Sequence, residues 1–233
     1  MTWNTQRLFF TAMALACLAL IGGILVSPAR ADNLGCHITA MVGMTSTNTK
    51  TSVDASWGEN FASVNGLGQT GTAEGLGAGC DWTVDRFVVG AFGDYVFHQS
   101  QFDGTAFGSS VSMKLTRQMT LGGRAGFLVG PADGGTLIYA LAGWTKLGTD
   151  GITGAINVGV PDFTGIVLGG GIETPVSKHV KIGVEYRHVA FDPQTVALAS
   201  MGSDSISGKL SPEMQSVLLR LSIGTEFFGA SLK

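Results

Sequence analysis

The chain has 233 residues, of which 45% are hydrophobic and only 13% are charged, about half the charged fraction usual in soluble domains. Its 35 glycines and 6 prolines exclude collagen-like and proline-rich structure, and its 13 phenylalanines and low charge exclude intrinsic disorder. A net charge of −3 provides no basic surface for nucleic acid, so we expect no such partner. An apolar, glycine-rich chain with no long apolar run after residue 31 is typical of membrane β-structure.

The first 31 residues are a predicted targeting segment. Arg7 precedes an apolar stretch over residues 8–26, and Pro28 and the small residues Ala29 and Ala31 follow it. A basic start, an apolar core and a small-x-small end predict a signal peptide cleaved after Ala31. The alternative is an uncleaved membrane anchor. We therefore divide the chain into a signal peptide over residues 1–31 and one exported domain over residues 32–233.

Eight segments of the exported domain are predicted strands, in chain order residues 36–47, 69–82, 85–98, 111–127, 136–147, 164–172, 180–186 and 216–227. In the third, the apolar Phe87 and Tyr95 alternate with Arg86 and Asp94. The fourth and the last three repeat this alternation, whereas the first two are rich in Gly and Thr and the fifth is apolar on both faces. One apolar face and one face of charged and small residues indicate a barrel strand with lipid outside and a polar lumen.

The connections between these segments alternate in length. Short ones are predicted at residues 83–85, 130–135 and 175–179, and long polar ones at residues 48–68, 100–110, 148–162 and 192–213. Strict alternation is typical of periplasmic turns and extracellular loops. The predicted fold of residues 32–233 is therefore all-β: an eight-stranded antiparallel up-and-down transmembrane β-barrel in the bacterial outer membrane.

Charged residues fall on the inward face of the predicted strands. There are ten of them: Arg86, Asp94, Lys114, Arg124, Glu173, Lys181, Glu185, Arg187, Arg220 and Glu226. A lumen only eight strands wide has room for side chains and not for a wide water column, so these charges must pair with one another. Two interpretations are open: a structural salt-bridge plug, and a narrow or gated ion path.

Two cysteines, Cys36 and Cys80, remain after the predicted cleavage site. Cys36 opens the first strand and Cys80 closes the second, so both lie at the periplasmic rim of an antiparallel pair. In an oxidising compartment this arrangement predicts a disulfide. Two free buried thiols are the alternative.

Three stretches carry a resemblance to a known family. They are Gly77-Ala78-Gly79-Cys80-Asp81-Trp82 leading into residues 87–90, Gly169-Gly170-Gly171-Ile172-Glu173 followed by Val184-Glu185-Tyr186-Arg187, and the closing Gly224-Thr225-Glu226-Phe227-Phe228. The chain resembles small outer-membrane β-barrel proteins of the opacity-protein type, in particular the immunogenic, porin-like group of alphaproteobacteria. The resemblance implies that Gly224, Phe227 and Phe228 form the closing-strand signal for the barrel-insertion machinery, although residues 229–233 follow it here.

Catalytic and metal-binding motifs are not found in the sequence. Of the histidines His37, His98, His179 and His188, the last falls on the outward row near the outer rim, but no nucleophile motif accompanies it. We therefore expect no enzyme activity, no cofactor and no metal. The predicted function is structural or surface-interactive, with outer-membrane lipid, the insertion machinery and a host or surface ligand of the loops as partners. A weak porin or small-solute channel is the first alternative, and a lipid-modifying enzyme is the second.

Overall fold

The computed structural model describes residues 34–55, 60–106, 109–130, 135–154, 159, 161–201 and 204–224. The elements in these ranges are nine strands: β1 (Leu34–Ala55), β2 (Asn60–Val84), β3 (Phe87–Ala106), β4 (Ser109–Val129), β5 (Thr136–Gly154), β6 (Phe163–Pro175), β7 (Val180–Phe191), β8 (Gln194–Met201) and β9 (Asp204–Gly224). None of the described ranges contains a helix long and apolar enough to cross a membrane. The predicted signal peptide, with Ala29 and Ala31, lies outside them.

The strands form one closed antiparallel barrel. Their order is β1-β2-β3-β4-β5-β6-β7-β9-β8, and β1 also pairs with β9. Both β7 and β8 pair with β9, at Ala190↔Glu213 and Gln194↔Leu210 respectively. Because Pro193 has no N–H to donate, the interruption between β7 and β8 falls at a residue that cannot complete the ladder. The two segments occupy one strand position, which confirms the predicted eight-stranded barrel.

Tight turns connect the strands at one end, which we call the periplasmic end. Asp85 and Arg86 alone separate β2 from β3, and Asp85 has a φ of 54°, a conformation that Asp tolerates better than most residues. Between β6 and β7, the Val176 N–H donates to the Val180 carbonyl at 2.9 Å. The first of these turns corrects one prediction, because Arg86 lies exposed in the turn and not in the lumen.

At the opposite, extracellular end the predicted long loops are largely strand. Strand β1 continues to Ala55, β3 to Ala106 and β5 to Gly154, while β8 and β9 occupy most of residues 192–213. These segments are polar and rich in Ser, Thr and Gly, so they carry no apolar alternation, yet their backbones still pair. Strands β1 to β5 and β9 have 19 to 25 residues, whereas crossing a membrane needs about 9–11. The barrel therefore extends well beyond the bilayer.

A band of exposed apolar side chains surrounds the periplasmic half of the barrel. It comprises, among others, Val42, Met44, Leu76, Trp82, Phe87, Val89, Phe97, Leu121, Phe127, Trp144, Ile166, Leu168, Ile172, Val184, Tyr186, Val217 and Leu219. Trp82, Phe87 and Phe127 lie at its periplasmic margin, and Phe97, Trp144 and Tyr186 at its extracellular margin. An apolar band between two aromatic margins is typical of the lipid-facing surface of an outer-membrane barrel.

Candidate functional site: the charged lumen

The structure places six of the ten predicted lumen charges in the interior, namely Asp94, Arg124, Glu173, Glu185, Arg187 and Arg220. Lys181 is half-buried at the periplasmic mouth, and Glu226 lies outside the described residues. Lys114 is wrongly predicted, because the register of β4 shifts on both sides of Leu115. This irregularity turns Leu115 inward and leaves Lys114 exposed.

The interior charges form two groups. We call His37, Asp81, Arg124, Glu173 and Lys181 the lower cluster. In it, Arg124 lies between two carboxylates: its Nε donates to Asp81 Oδ1 at 2.8 Å, and its Nη1 lies 3.4 Å from Glu173 Oε2. Lys181 Nζ is 3.5 Å from Glu173 Oε1, and His37 Nδ1 is 3.7 Å from Asp81 Oδ2. Two cations thus balance two carboxylates at the periplasmic end.

We call Asp94, Tyr139, Glu185, Arg187 and Arg220 the middle cluster. Arg187 pairs with Asp94, and its Nε donates to Glu185 Oε1 at 2.6 Å. Arg220 pairs with the other oxygen of Glu185, which also accepts the Tyr139 hydroxyl at 2.5 Å. All five side chains are buried, and two cations again balance two carboxylates. A buried charge that is both paired and hydrogen-bonded avoids most of the cost of its desolvation.

Tyr139 connects the two clusters. The Arg124 guanidinium lies over its ring, 5.1 Å from the centroid, and its hydroxyl reaches Glu185. In the same way Arg187 lies over the Phe92 ring at 5.6 Å. Such cation–π contacts strengthen when water is excluded. Because Tyr139 contacts both Arg124 and Glu185, the two clusters are continuous with each other.

Among the described residues, each of the seven buried carboxylate and guanidinium groups lies opposite a glycine on a neighbouring strand. The pairs are Asp81↔Gly90, Asp94↔Gly77, Arg124↔Gly90, Glu173↔Gly183, Arg220↔Gly183, Glu185↔Gly171 and Arg187↔Gly169. At Gly171 a Cβ would lie 2.6 Å from the Tyr139 hydroxyl, in the space through which Tyr139 reaches Glu185. Alternating large and small inward residues fills a narrow barrel, which explains part of the high glycine content.

Sequence reasoning missed three members of these clusters: His37, Asp81 and Tyr139. Asp81 is in the Gly- and Thr-rich second strand, where alternation is weak, and Tyr139 is in the strand that is apolar on both faces. The signal that could have identified Asp81 is the alternation of side chains along a strand, since its neighbours Cys80 and Trp82 face outward. A charge adjacent to two outward residues must face the lumen.

A cavity of about 300 Å³ opens at the periplasmic mouth of the barrel. His37, Asp81 and Glu173 line it from within, and Lys178 and Lys181 line it near the rim. These members of the lower cluster therefore border a space that water can enter, whereas none of the middle-cluster residues lines it.

Cys36 and Cys80 are joined by a disulfide that connects β1 to β2. Their outward neighbours Ile38, Leu76 and Ala78 are exposed, so the disulfide lies on the lipid-facing side near the periplasmic rim. It does not contribute to the lumen.

The remaining predicted residues are located separately. His188 is half-buried on the outward face, opposite Leu168 and Gln215. Among the described residues, no group of three or more His, Cys, Asp or Glu side chains could hold a metal ion. Gly224 ends β9, and its N–H donates to the His179 carbonyl at 2.8 Å. Phe227 and Phe228 lie outside the described residues.

Comparison with known proteins agrees with this architecture. OprG, an outer membrane protein of Pseudomonas aeruginosa, has a TM-score of 0.53 at 11% identity over 82% of this chain and 97% of its own. Ail, the attachment invasion locus protein of Yersinia pestis, has a TM-score of 0.35 at 10% identity over 78% and 98%. The outer membrane protease OmpT of Escherichia coli has 0.44 at 9% identity over 82% and 96%. The similarity to OprG supports the fold alone.

No curated protein sequence matches the chain. The model of the family described as outer membrane protein beta-barrel domain matches residues 15–208. This match covers most of the chain and agrees with the closed barrel, its apolar band and its aromatic margins. The chain therefore belongs to the outer-membrane β-barrel protein family and is a protein of the bacterial outer membrane.

Proposed function

We propose that the protein is a non-enzymatic outer-membrane barrel with a plugged lumen and a structural or surface-interaction role. The observation that carries this proposal is the middle cluster, in which buried Arg187 of β7 pairs across the lumen with Asp94 of β3, and Glu185 binds Arg220 of the adjacent β9. In an eight-stranded barrel such side chains occupy the space through which solute would pass.

The interior beyond the middle cluster supports the same proposal. Toward the extracellular end it holds a buried apolar cluster that includes Leu147, Phe163, Val167, Val189 and Met214, all at most 1% exposed. Beside this cluster lie buried polar side chains that are hydrogen-bonded to one another, among them His98, Gln118 and Thr145. Together these side chains occupy the interior beyond the charged plug, which keeps the lumen narrow there.

The extracellular extension supports the surface role. Strands of up to 25 residues carry a polar, paired sheet beyond the apolar band, and surface-exposed segments of this kind are where binding residues are commonly found. On this proposal the extension contacts a host or surface ligand, the band contacts outer-membrane lipid, and the insertion machinery assembles the barrel.

We also propose that the protein belongs to the opacity-type group of outer-membrane barrels. The stretches that carry that resemblance contain Asp81, Glu173, Glu185 and Arg187, and all four belong to the two clusters. A shared plug would explain why these short stretches are alike.

Planar-bilayer recording of the purified full-length protein tests the plug. We expect small, sporadic openings for the wild type, because the paired charges close the lumen. Glu185→Gln should raise the opening frequency, since it removes the carboxylate that Arg187 and Arg220 share. Glu213→Gln, which alters the exposed Lys50–Glu213 pair, is the matched control and should leave it unchanged. A steady, large, weakly selective wild-type conductance would reject the plug and favour the porin alternative.

A further inference from the structure

The eight strand positions each present one outward residue just beyond the extracellular margin of the apolar band. We call this set the outer ring; its members are Ser46, Glu74, Gln99, Arg117, Lys146, Thr164, His188 and Gln215. Each lies two positions past the last outward residue of the apolar band on its strand, for example Lys146 past Trp144 and Arg117 past Met119. The ring is therefore level with the lipid head groups, as aromatic margins mark that boundary.

The two permanent cations of the outer ring are neighbours. Met119 of β4 lies directly opposite Lys146 of β5, and Arg117 lies opposite Gly148 in the same pair of strands. Arg117 and Lys146 are thus diagonal neighbours on one face, about 7–8 Å apart at the backbone. This spacing lets the Arg117 guanidinium and the Lys146 ammonium group reach the same phosphate group.

Arg117 is held in place by its surroundings. Its Cγ lies 3.0 Å from the position where a Cβ on Gly148 would be, so its stem lies over that glycine. Phe97 is its partner on the other side, on β3. In the described part of the chain Arg117 takes part in none of the ion pairs, while Lys146 has one, to Asp162 at 3.1 Å. A guanidinium with a fixed stem and no carboxylate partner among the described residues is suited to bidentate phosphate binding.

The lipid-facing surface below these cations is aromatic and apolar. Tyr95 and Phe97 contact each other edge to face with ring centroids 4.9 Å apart, and Leu121 and Trp144 are paired on the next two strands. Acyl chains therefore find an apolar surface directly beneath the two cations. A free anion in water would use the cations but not this surface.

We propose that Arg117 and Lys146 form a binding site for the phosphate group of a phosphorylated glycolipid in the outer leaflet, with its acyl chains against Tyr95, Phe97 and Trp144. The site is on the outside of the barrel, is independent of the plug, and is specific to the β3–β4–β5 side. Lys50 of β1, which is not a member of the ring, is paired with Glu213 of β9 at 3.2 Å, and the carboxylate of the ring, Glu74 of β2, lies opposite Phe97 at the edge of the site.

Native mass spectrometry of the refolded full-length barrel with diphosphorylated lipid A tests this proposal. We expect the wild type to retain one lipid A, and Arg117→Gln with Lys146→Gln to raise the Kd by about tenfold or more, because charge-assisted hydrogen bonds to the phosphate are lost. The matched control is Lys50→Gln with Lys209→Gln, which removes two cations outside the ring and should leave the Kd unchanged. Equal losses in both double variants, or in neither, would overturn the proposal.

Three further measurements identify the ligand and exclude misfolding as the cause of a lost affinity. Asp162→Asn releases Lys146 from its ion pair and should lower the Kd for lipid A, a gain that a misfolded barrel could not show; a higher Kd would contradict the site. Dephosphorylated lipid A should bind as weakly as the double variant binds lipid A. If inorganic phosphate displaces lipid A at equal concentration, the site binds free phosphate and the lipid assignment is wrong.

Discussion

The lower and middle clusters contain the same charges, two cations and two carboxylates each, but differ in their access to water. In the lower cluster Asp81, Glu173 and Lys181 line a cavity at the periplasmic mouth, where the Lys181 side chain is 44% exposed, while Arg124 above them is only 2% exposed. In the middle cluster the side chains of Arg187, Arg220 and Glu185 are at most 3% exposed. A charge that loses its partner in a dry interior cannot be solvated by water. Removing one carboxylate should therefore lower the free energy of unfolding more in the middle cluster than in the lower cluster.

The largest effect is expected for Glu185→Gln. The change leaves Arg187 with Asp94 and leaves Arg220 without a carboxylate partner among the described residues, and breaking a buried pair in this way costs about 3–5 kcal/mol. The free energy of unfolding of the refolded barrel, from a urea titration in detergent, should fall by this amount. Glu213→Gln is the control, because Glu213 is in an exposed pair. Equal effects of the two substitutions would contradict the buried network.

A smaller effect is expected for Asp81→Asn, its counterpart in the lower cluster. Arg124 keeps Glu173 as a partner, and water in the adjoining cavity can solvate what is lost, so we expect about 1–3 kcal/mol. The same titration should show a larger loss for Asp94→Asn, which leaves Arg187 with Glu185 alone. If Asp81→Asn lowers the free energy of unfolding as much as Asp94→Asn does, access to water does not reduce the cost of losing a carboxylate, and the comparison of the two clusters is wrong.

The smallest effect is expected for Lys181→Gln. This side chain is nearly half exposed and lies 3.5 Å from Glu173, so the pair should contribute at most about 1 kcal/mol at low salt. Unfolding measured in high salt should remove even this difference, because exposed pairs are screened. A salt-independent loss would show that Lys181 belongs energetically to the interior.

The sequence was sufficient to predict the barrel, and the reason lies in its lipid-facing strands. Around Phe87 and Val89, and again around Val217 and Leu219, apolar residues must alternate because one face contacts hydrocarbon. That requirement ends at the margin of the bilayer. Beyond Met44 or Trp144 the outward residues no longer need to be apolar, so the strands continue without the alternation that marks them in the bilayer, and residues 48–68 therefore resembled a loop.

The candidate site was only partly predictable for a related reason. Parity identified Glu185 and Arg187 because their strand alternates without interruption, but it misplaced Lys114, where an irregularity near Leu115 changes the face. Asp81 was missed in a strand whose preceding inward residues, Gly75, Gly77 and Gly79, are all glycines. Which charges form ion pairs depends on the closure of the barrel. Arg187 and Asp94, for example, are 93 positions apart, and no local pattern relates them.

The closure of the barrel has a consequence for its assembly. Strand β1 pairs with β9 along 19 residue pairs, from His37↔Gly224 to Ala55↔Ile206, so one edge of the first strand stays open until the last strand arrives. An unpaired edge is a template for pairing with other chains. The disulfide to β2 secures the other edge of β1. The interval between the emergence of β1 and the arrival of β9 is therefore when this chain is most exposed to aggregation.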